Sequence, residues 1–247
     1  MFRKVGRALW MTSSLACSAV VSLPLLVRRY VLRRPVVGSI PFEMRLHERY
    51  WERRLRADTG GWAPATVNDG KLYEGTPYLL LFTIMMQLDL GPEDRFVDLG
   101  CGKGRVVAMA ALSNAGSVAG VEQDETFLAV ARENIARLPG AGGRIQLVHG
   151  LAQQFDFDAV TVVFMFNPFG ERTVAQVLDL LGESLRRSPR RLRIVYANPV
   201  HEAVLQATAW LENTTTWPSD AYPDHTFLPA NPRMVSFWEA RPERLDS

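Results

Sequence analysis

The segment Phe96-Val97-Asp98-Leu99-Gly100-Cys101-Gly102-Lys103-Gly104 sets three glycines at alternate positions behind an apolar run that carries one aspartate. Glycines at a strand-to-helix turn let the backbone bend sharply and approach a bound molecule, and doubly wound sheets take their ligands at the carboxyl ends of strands. The spacing rejects two familiar ligands. A dinucleotide fingerprint needs a third glycine at the position of Arg105, and a phosphate loop needs serine or threonine after its lysine, where this chain has Gly104. Other strand-like runs also end in polar residues: Glu122, then Asn167 in Asn167-Pro168-Phe169-Gly170, then Asn198 in Asn198-Pro199, which reads as a plain strand-ending turn. No other chemistry competes. His47, His149, His201 and His225 are scattered, and Cys17 and Cys101 sit in an apolar run and in the glycine loop, so neither a metal site nor a disulfide framework is expected.

The Asp98-Leu99-Gly100-Cys101-Gly102-Lys103-Gly104 pattern resembles motif I of the class I S-adenosylmethionine-dependent methyltransferases, and the resemblance extends over roughly Tyr73 to Ala240. It implies S-adenosylmethionine as cofactor, with Asp98, Gly100, Cys101, Gly102 and Gly104 around its methionine end. A zwitterionic amino acid suits such a loop: backbone N–H groups at a helix start attract its carboxylate, and an aspartate anchors its ammonium. The family keeps an acid at the position of Glu122 for both ribose hydroxyls, a task suited to the two oxygens of a carboxylate. Gln123 would flank the adenine. Where relatives often show an acid beside the adenine amino group, this chain has Gly150-Leu151-Ala152, so backbone and apolar contacts, Ala152 among them, are expected instead.

The family places acceptor-facing residues after the fourth strand, which implies Asn167, Pro168 and Phe169 here. The segment resembles the Asn/Asp-Pro-Pro-Tyr/Phe motif of amino-group methylases, one proline short. It is also similar to the corresponding stretch of the histone-lysine methyltransferases that lack a SET domain, whose upstream acidic residue would be Glu74. Methyl transfer is an in-line displacement, so catalysis comes largely from alignment. A nitrogen acceptor must be unprotonated, which burial favours, and a side-chain amide orients its N–H groups. The acceptor is thus expected to be a nitrogen, a protein lysine among the candidates, with a small molecule or lipid as alternative. A non-enzymatic cofactor-binding scaffold of the same fold is the rival.

These residues need strands and helices in alternation to hold them. Thr76 to Leu88 reads as a helix with Thr76 as cap, Arg95 to Leu99 as a strand, and Lys103 to Ser113 as a helix. Ser117 to Val121 is a strand, and Asp124 caps a helix to about Leu138 whose apolar face is Phe127, Leu128, Ala131, Ile135 and Leu138, stopped by Pro139-Gly140. Strands at Arg144 to His149 and Ala159 to Phe166, a helix from Glu171 to Arg187, a strand from Leu192 to Ala197 and a helix from Val200 to Leu211 follow. Thr214 to Trp217 and Met234 to Trp238 are strand-like with only a loop between, and should pair antiparallel. The expected fold is α/β: a Rossmann-like three-layer sandwich on a mostly parallel seven-stranded sheet with an antiparallel last strand, plus N-terminal helices.

Three regions are expected: a hydrophobic segment and basic flank at 1–40, a cover helix and loop at 41–75, and the methyltransferase domain at 76–247. Residues 8–27 form a charge-free run long enough as a helix to cross a bilayer, and Arg28, Arg29, Arg33 and Arg34 follow it. This reads as a membrane anchor that leaves the domain in the cytoplasm. A cleaved signal peptide, an organellar transit peptide or a soluble packed helix are the alternatives. Phe42 to Ala57 reads as an amphipathic cover helix whose Arg45, Glu48, Glu52, Arg53 and Arg56 face water. The net charge of +2 and the lack of a basic stripe with interleaved aromatics beyond the N-terminus argue against nucleic acid as substrate.

Overall fold

The computed structural model describes residues 40–60, 62–63, 73–138, 143–217 and 235–245, with side chains from 47 onward in the first helix and not in the strands near 62 and 73. The expected anchor at 8–27 and the Pro139-Gly140 stop lie outside them. Among the described residues no helix is long and apolar enough to cross a membrane.

The chain opens with helix α1 (Ile40–Leu55) and a two-stranded ladder of β1 (Trp62–Ala63) and β2 (Tyr73–Glu74), then helix α2 (Tyr78–Leu88). The alternating core follows as β3 (Arg95–Leu99), α3 (Arg105–Leu112), β4 (Ser117–Glu122), α4 (Glu125–Ala136), β5 (Ile145–His149), β6 (Val162–Phe166), α5 (Glu171–Arg187), β7 (Arg193–Ala197) and α6 (Glu202–Gln206). Strands β8 (Leu211–Trp217) and β9 (Val235–Ala240) close it. The seven-stranded sheet runs β5-β4-β3-β6-β7-β9-β8, with β9 antiparallel to both β7 and β8 and every other pair parallel. The fold class expected from the sequence is the one observed.

Strand pleating divides the core into two layers. Phe96, Val162 and Phe164 turn toward Leu81, Val107 and Leu128 on one face. Val97, Val163 and Met165 turn toward Val177, Leu181 and Leu205 on the other. A sheet buried on both faces explains the nearly unbroken apolar run of β6. Helix α5 presents Val174, Val177, Leu178, Leu181 and Leu185 as its buried stripe, the spacing of an amphipathic helix. Asp124 caps α4 as expected, its carboxylate accepting the Thr126 N–H at 2.9 Å.

Four local readings are corrected. Thr76 does not cap α2; Glu48 of α1 does so from another element, accepting the Tyr78 N–H at 2.8 Å. Glu48 and Glu52 accordingly turn inward rather than to water, toward the buried Arg105 guanidinium. Helix α6 covers five residues rather than twelve positions to Leu211, because Leu211 pairs with Ala240 and starts β8 earlier than expected. The loop at 59–75 contains the β1–β2 ladder, with Trp62 opposite Glu74.

An ion pair fastens the amino ends of the central strands. Asp94 accepts from Arg193 at 2.7 Å, from the Gly91 N–H at 2.7 Å and from the Thr161 hydroxyl at 3.1 Å. Burial pushes the Asp94 carboxyl up, but the Gly91 N–H and the Arg193 guanidinium outweigh it and hold the pKa below the ordinary value. Asp94→Asn should therefore cost roughly 1–3 kcal/mol at neutral pH, the range for leaving a partner in a partly buried pair unsatisfied. A lowered folded pKa gives stability that is complete above about pH 4 and lost as the pH falls through the folded value. Urea unfolding of wild type and Asp94→Asn at neutral and acid pH should show the difference between them shrinking in acid; a constant difference would refute this account.

Candidate functional site

The carboxyl ends of β3, β4 and β6 converge on the glycine loop. Gly100 and Gly102 have φ of +79° and +50°, and Gly104, which starts α3, has +80°, all in the left-handed region that glycine adopts without strain. Gly100 lies against the Asn167 turn: a Cβ added there would stand 2.6 Å from Pro168 Cβ. The loop and the Asn-Pro segment, separate in sequence, are thus in contact. Gly104 makes a second close approach, to Ala131 of α4, where an added Cβ would stand 3.2 Å from its methyl.

Two carboxylates face the loop from adjacent strands, since Asp98 pairs with Gly120 two residues before Glu122. Asp98 is 2% exposed, and its Oδ2 has no hydrogen-bond partner. Burial first, and the nearby Glu122 second, push its pKa well above the ordinary range. Glu122 is held in place by two backbone donors, Gly102 N–H at 2.8 Å on Oε2 and Asp124 N–H at 2.9 Å on Oε1. Burial raises its pKa, and those N–H groups offset part of the rise. Each oxygen keeps a lone pair for a further donor.

An orphaned, buried carboxylate oxygen is costly unless a ligand donor or a cation meets it. The methionine ammonium of S-adenosylmethionine is such a group, and Asp98 lies on the strand that leads into the glycine loop. The residues present fit that cofactor. One detail differs from the sequence reading. The N–H groups of Gly100 and Cys101 are spent on the Val121 carbonyl at 2.9 Å each, that of Gly104 on the Cys101 carbonyl, and that of Gly102 on Glu122. The loop therefore offers the ligand close approach and carbonyl oxygens more than a cradle of N–H donors.

The other expected residues fall in distinct places. The Cys101 side chain is buried in the core against Gly120, and burial raises its thiol pKa well above normal, so only its backbone lines the loop. Gln123 follows Glu122 and its carbonyl accepts from the His149 ring at 3.1 Å. Ala152 is 5% exposed and packs with Val97, Leu99 and Val121, so its methyl belongs to the core. The apolar surface at that edge is Leu151, 43% exposed, in a loop joined to the site by the Gly150 N–H donated to the Glu122 carbonyl at 3.0 Å. Asn167 leaves β6 with φ of +41°, and half-buried Phe169 packs on the second core layer. Glu74 lies on β2.

The sequence reading missed the clamp over the loop. Arg105, read only as a missing third glycine, is 5% exposed and donates to Glu48 Oε2 at 2.7 Å, the Thr76 carbonyl at 3.0 Å, and Thr59 Oγ1 and carbonyl at 3.0 and 3.1 Å. Its guanidinium lies 4.2 Å from the Tyr78 ring centroid, and burial pushes that phenol up to about 12. Asn134 of α4 bonds both N–H and carbonyl of Asp58, and donates to the Lys103 carbonyl at 2.9 Å. Lys103 Nζ reaches the Gly60 carbonyl at 2.7 Å. Residues 58–60 are thereby pinned on the glycine loop. The only sequence signal was an arginine and an asparagine on otherwise apolar helix faces.

Residues 96–188 match the family described as a methyltransferase domain. A demethylmenaquinone methyltransferase of Shouchella clausii is 33% identical over 104 residues, 41% of this chain and 43% of that protein, so the chain spans less than half the length of this curated relative. An RNA methyltransferase of Salinibacter ruber, solved with S-adenosyl-L-homocysteine, superposes with a TM-score of 0.52 at 20% identity, over 70% of this chain and 100% of that one. A SAM-dependent O-methyltransferase of Thermotoga maritima gives 0.50 at 20% identity, over 68% and 67%. The domain has the fold of the class I S-adenosylmethionine-dependent methyltransferases.

Breaking the clamp has a defined consequence. Arg105→Met strands Thr59 and leaves Glu48 to water, and should cost roughly 1–3 kcal/mol locally, since the Glu48 and Glu52 carboxylates stay partly exposed. Hydrogen exchange should then show amides 47–58 losing protection while those of β3 and β6 keep theirs. Unchanged exchange in α1 would mean that the helix is held by its apolar face alone.

Proposed function

We propose that this chain is an S-adenosylmethionine-dependent methyltransferase whose acceptor is a nitrogen presented beside Asn167, with a protein lysine in the candidate class. The observation that carries the cofactor half is the unpartnered Asp98 oxygen, buried on the strand that leads into the positive-φ glycine loop. When bound, the cofactor supplies an electrophilic methyl group on a sulfonium whose departing thioether is neutral. Asp98 anchors the methionine ammonium. Glu122, already oriented by Gly102 and Asp124, accepts the ribose hydroxyls, and Leu151 supplies an apolar wall for the adenine. Asn167 orients the acceptor N–H, and the Pro168 ring packed on Gly100 holds that turn still. The relatives named above act on a quinone, on RNA and on an oxygen, so support for nitrogen rests on the Asn167 segment alone. Tethering of the domain to the cytoplasmic face of a membrane through residues 8–27 belongs to the same reading, supported by that charge-free run and the arginines after it.

S-adenosylhomocysteine should raise the melting temperature of the protein, because a ligand that binds only the folded state stabilises it. Gly102→Val should abolish the shift by placing a branched side chain at φ +50°. Absence of a shift and of calorimetric heat with wild type would sink the reading. Glu122→Ala should weaken binding roughly 10–150-fold, equivalent to about 1.5–3 kcal/mol; an analogue lacking both ribose hydroxyls should be penalised less, and equal penalties would remove the ribose role.

Transfer is tested separately from binding. With labelled cofactor and fractionated cell extract, Asn167→Ala should cut methyl transfer by about 10²–10³-fold, the range for one positioned polar group, while S-adenosylhomocysteine affinity stays near wild type. Full transfer by a well-folded variant would take Asn167 out of the reaction. No transfer to any fraction by wild type would favour the scaffold rival.

A further inference from the structure

Four non-glycine residues among those described have positive φ: Arg56, Asp89, Asn167 and Asn198. Arg56 directly follows α1, and Asp89 is the C-cap of α2, where the left-handed conformation is the usual way to end a helix. The two asparagines end no helix, although asparagine tolerates this conformation better than most residues do. Each ends a parallel strand, and each precedes a proline, which pushes the preceding residue toward extended backbone. Left-handed backbone at these two positions, +41° and +51°, is therefore disfavoured by the proline that follows each.

Their placement is matched. Strands β6 and β7 pair with Phe166 opposite Ala197, so Asn167 and Asn198 leave adjacent strands at the same level. Neighbouring strands lie about 4.8 Å apart. Along the carboxyl edge the order is Gly100 after β3, Asn167 after β6 and Asn198 after β7, because Leu99 pairs with Met165 and Phe166 with Ala197. Both asparagines are half-buried. Both turns are also held. Pro168 sits against Gly100. The second turn is closed by the Val200 N–H on the Asn198 carbonyl at 2.9 Å, the Glu202 N–H on the Pro199 carbonyl at 3.2 Å, and the His201 N–H on the Tyr196 hydroxyl at 3.4 Å. Val200, at the tip, is 62% exposed. Backbone strain of this kind persists where surrounding structure over-determines it, and it collects at ligand-contacting positions.

We infer that Asn198 is a second acceptor-orienting residue, so that the acceptor is gripped by two side-chain amides on adjacent strands rather than by Asn167 alone. This rests on the methyltransferase reading above and deepens it. An amide one strand spacing from Asn167 would add a second carbonyl oxygen and a second NH2 group to those that meet one substrate group. That set suits an acceptor with more than one N–H to orient, or an N–H beside a carbonyl, and disfavours a lone hydroxyl. On this reading Asn198-Pro199 is more than a strand-ending turn.

Sinefungin tests this without knowledge of the acceptor. It is an S-adenosylhomocysteine analogue with an amine-bearing carbon in place of sulfur, so its ammonium stands where the transferring methyl group would. Calorimetry with both ligands is run on wild type, Asn198→Gly, Asn198→Asp and Asn167→Gly. Glycine keeps the left-handed turn and removes only the amide. Asn198→Gly should leave S-adenosylhomocysteine affinity within about twofold and weaken sinefungin by about tenfold or more, as for one lost hydrogen bond to a charged group. Asn198→Asp should strengthen sinefungin alone. A turn-only residue would leave the ratio of the two affinities unchanged in both variants, and that result overturns the assignment. Wild type binding neither ligand would instead overturn the cofactor reading on which it rests.

Discussion

Taking a guanidinium out of water costs several kcal/mol unless its donors are met. Arg105 is almost fully buried, and its partners come from three separate places: Glu48 on α1, Thr59 in the loop after it, and the Thr76 carbonyl ahead of α2. Each partner is thereby fixed. Glu48 uses its second oxygen to cap α2, and Thr59 uses its hydroxyl on Tyr78 at 2.8 Å. Gly75 leaves room for the arrangement, since a Cβ there would stand 2.9 Å from Arg105 Cζ. Because Arg105 opens the helix directly after the glycine loop, satisfying its charge forces residues 48–60 onto that loop.

Asn134 does the same by neutral means. Its amide spans Asp58 and Lys103, so the cover segment and the glycine loop are joined through α4 as well as α3. A glycine-rich loop has little side-chain packing to define it. Here the definition comes from the carbonyl of Val121, the carboxylate of Glu122 and the Asn134 amide, all supplied by neighbouring elements. The outcome is a fixed loop that keeps an acidic interior, in which burial and then Glu122 raise the cost of ionising Asp98.

The sheet register converts these local features into one line of chemistry. Parallel strands that pair residue for residue end at common levels, so the glycine loop, the Asn167 turn and the Asn198 turn stand side by side along one edge. The antiparallel β9 pairs with β7 up to Ala197 opposite Val235, which keeps β7 an interior strand and its end a fixed platform.

Much of this was legible in the sequence because the signals are local. Apolar runs punctuated by glycine, proline and a capping aspartate determined the strands of the alternating core, α5 to the residue, and the cap at Asp124. The glycine spacing in front of Arg105 excluded a dinucleotide fingerprint and a phosphate loop and carried the resemblance to motif I. Asp98 and Glu122 could be named because each ends or occupies a strand beside that loop. The tertiary structure decided what depended on pairing between distant segments: that Arg105 and Asn134 are buried hubs, that Glu48 and Glu52 face inward, that Ala152 serves the core while Leu151 meets the surface, and that Asn198 stands level with Asn167. A polar side chain reads the same in sequence whether water or a buried partner satisfies it. Only the register of the sheet and the packing of the cover helix set which of the two it meets, and the desolvation cost then makes that choice decisive.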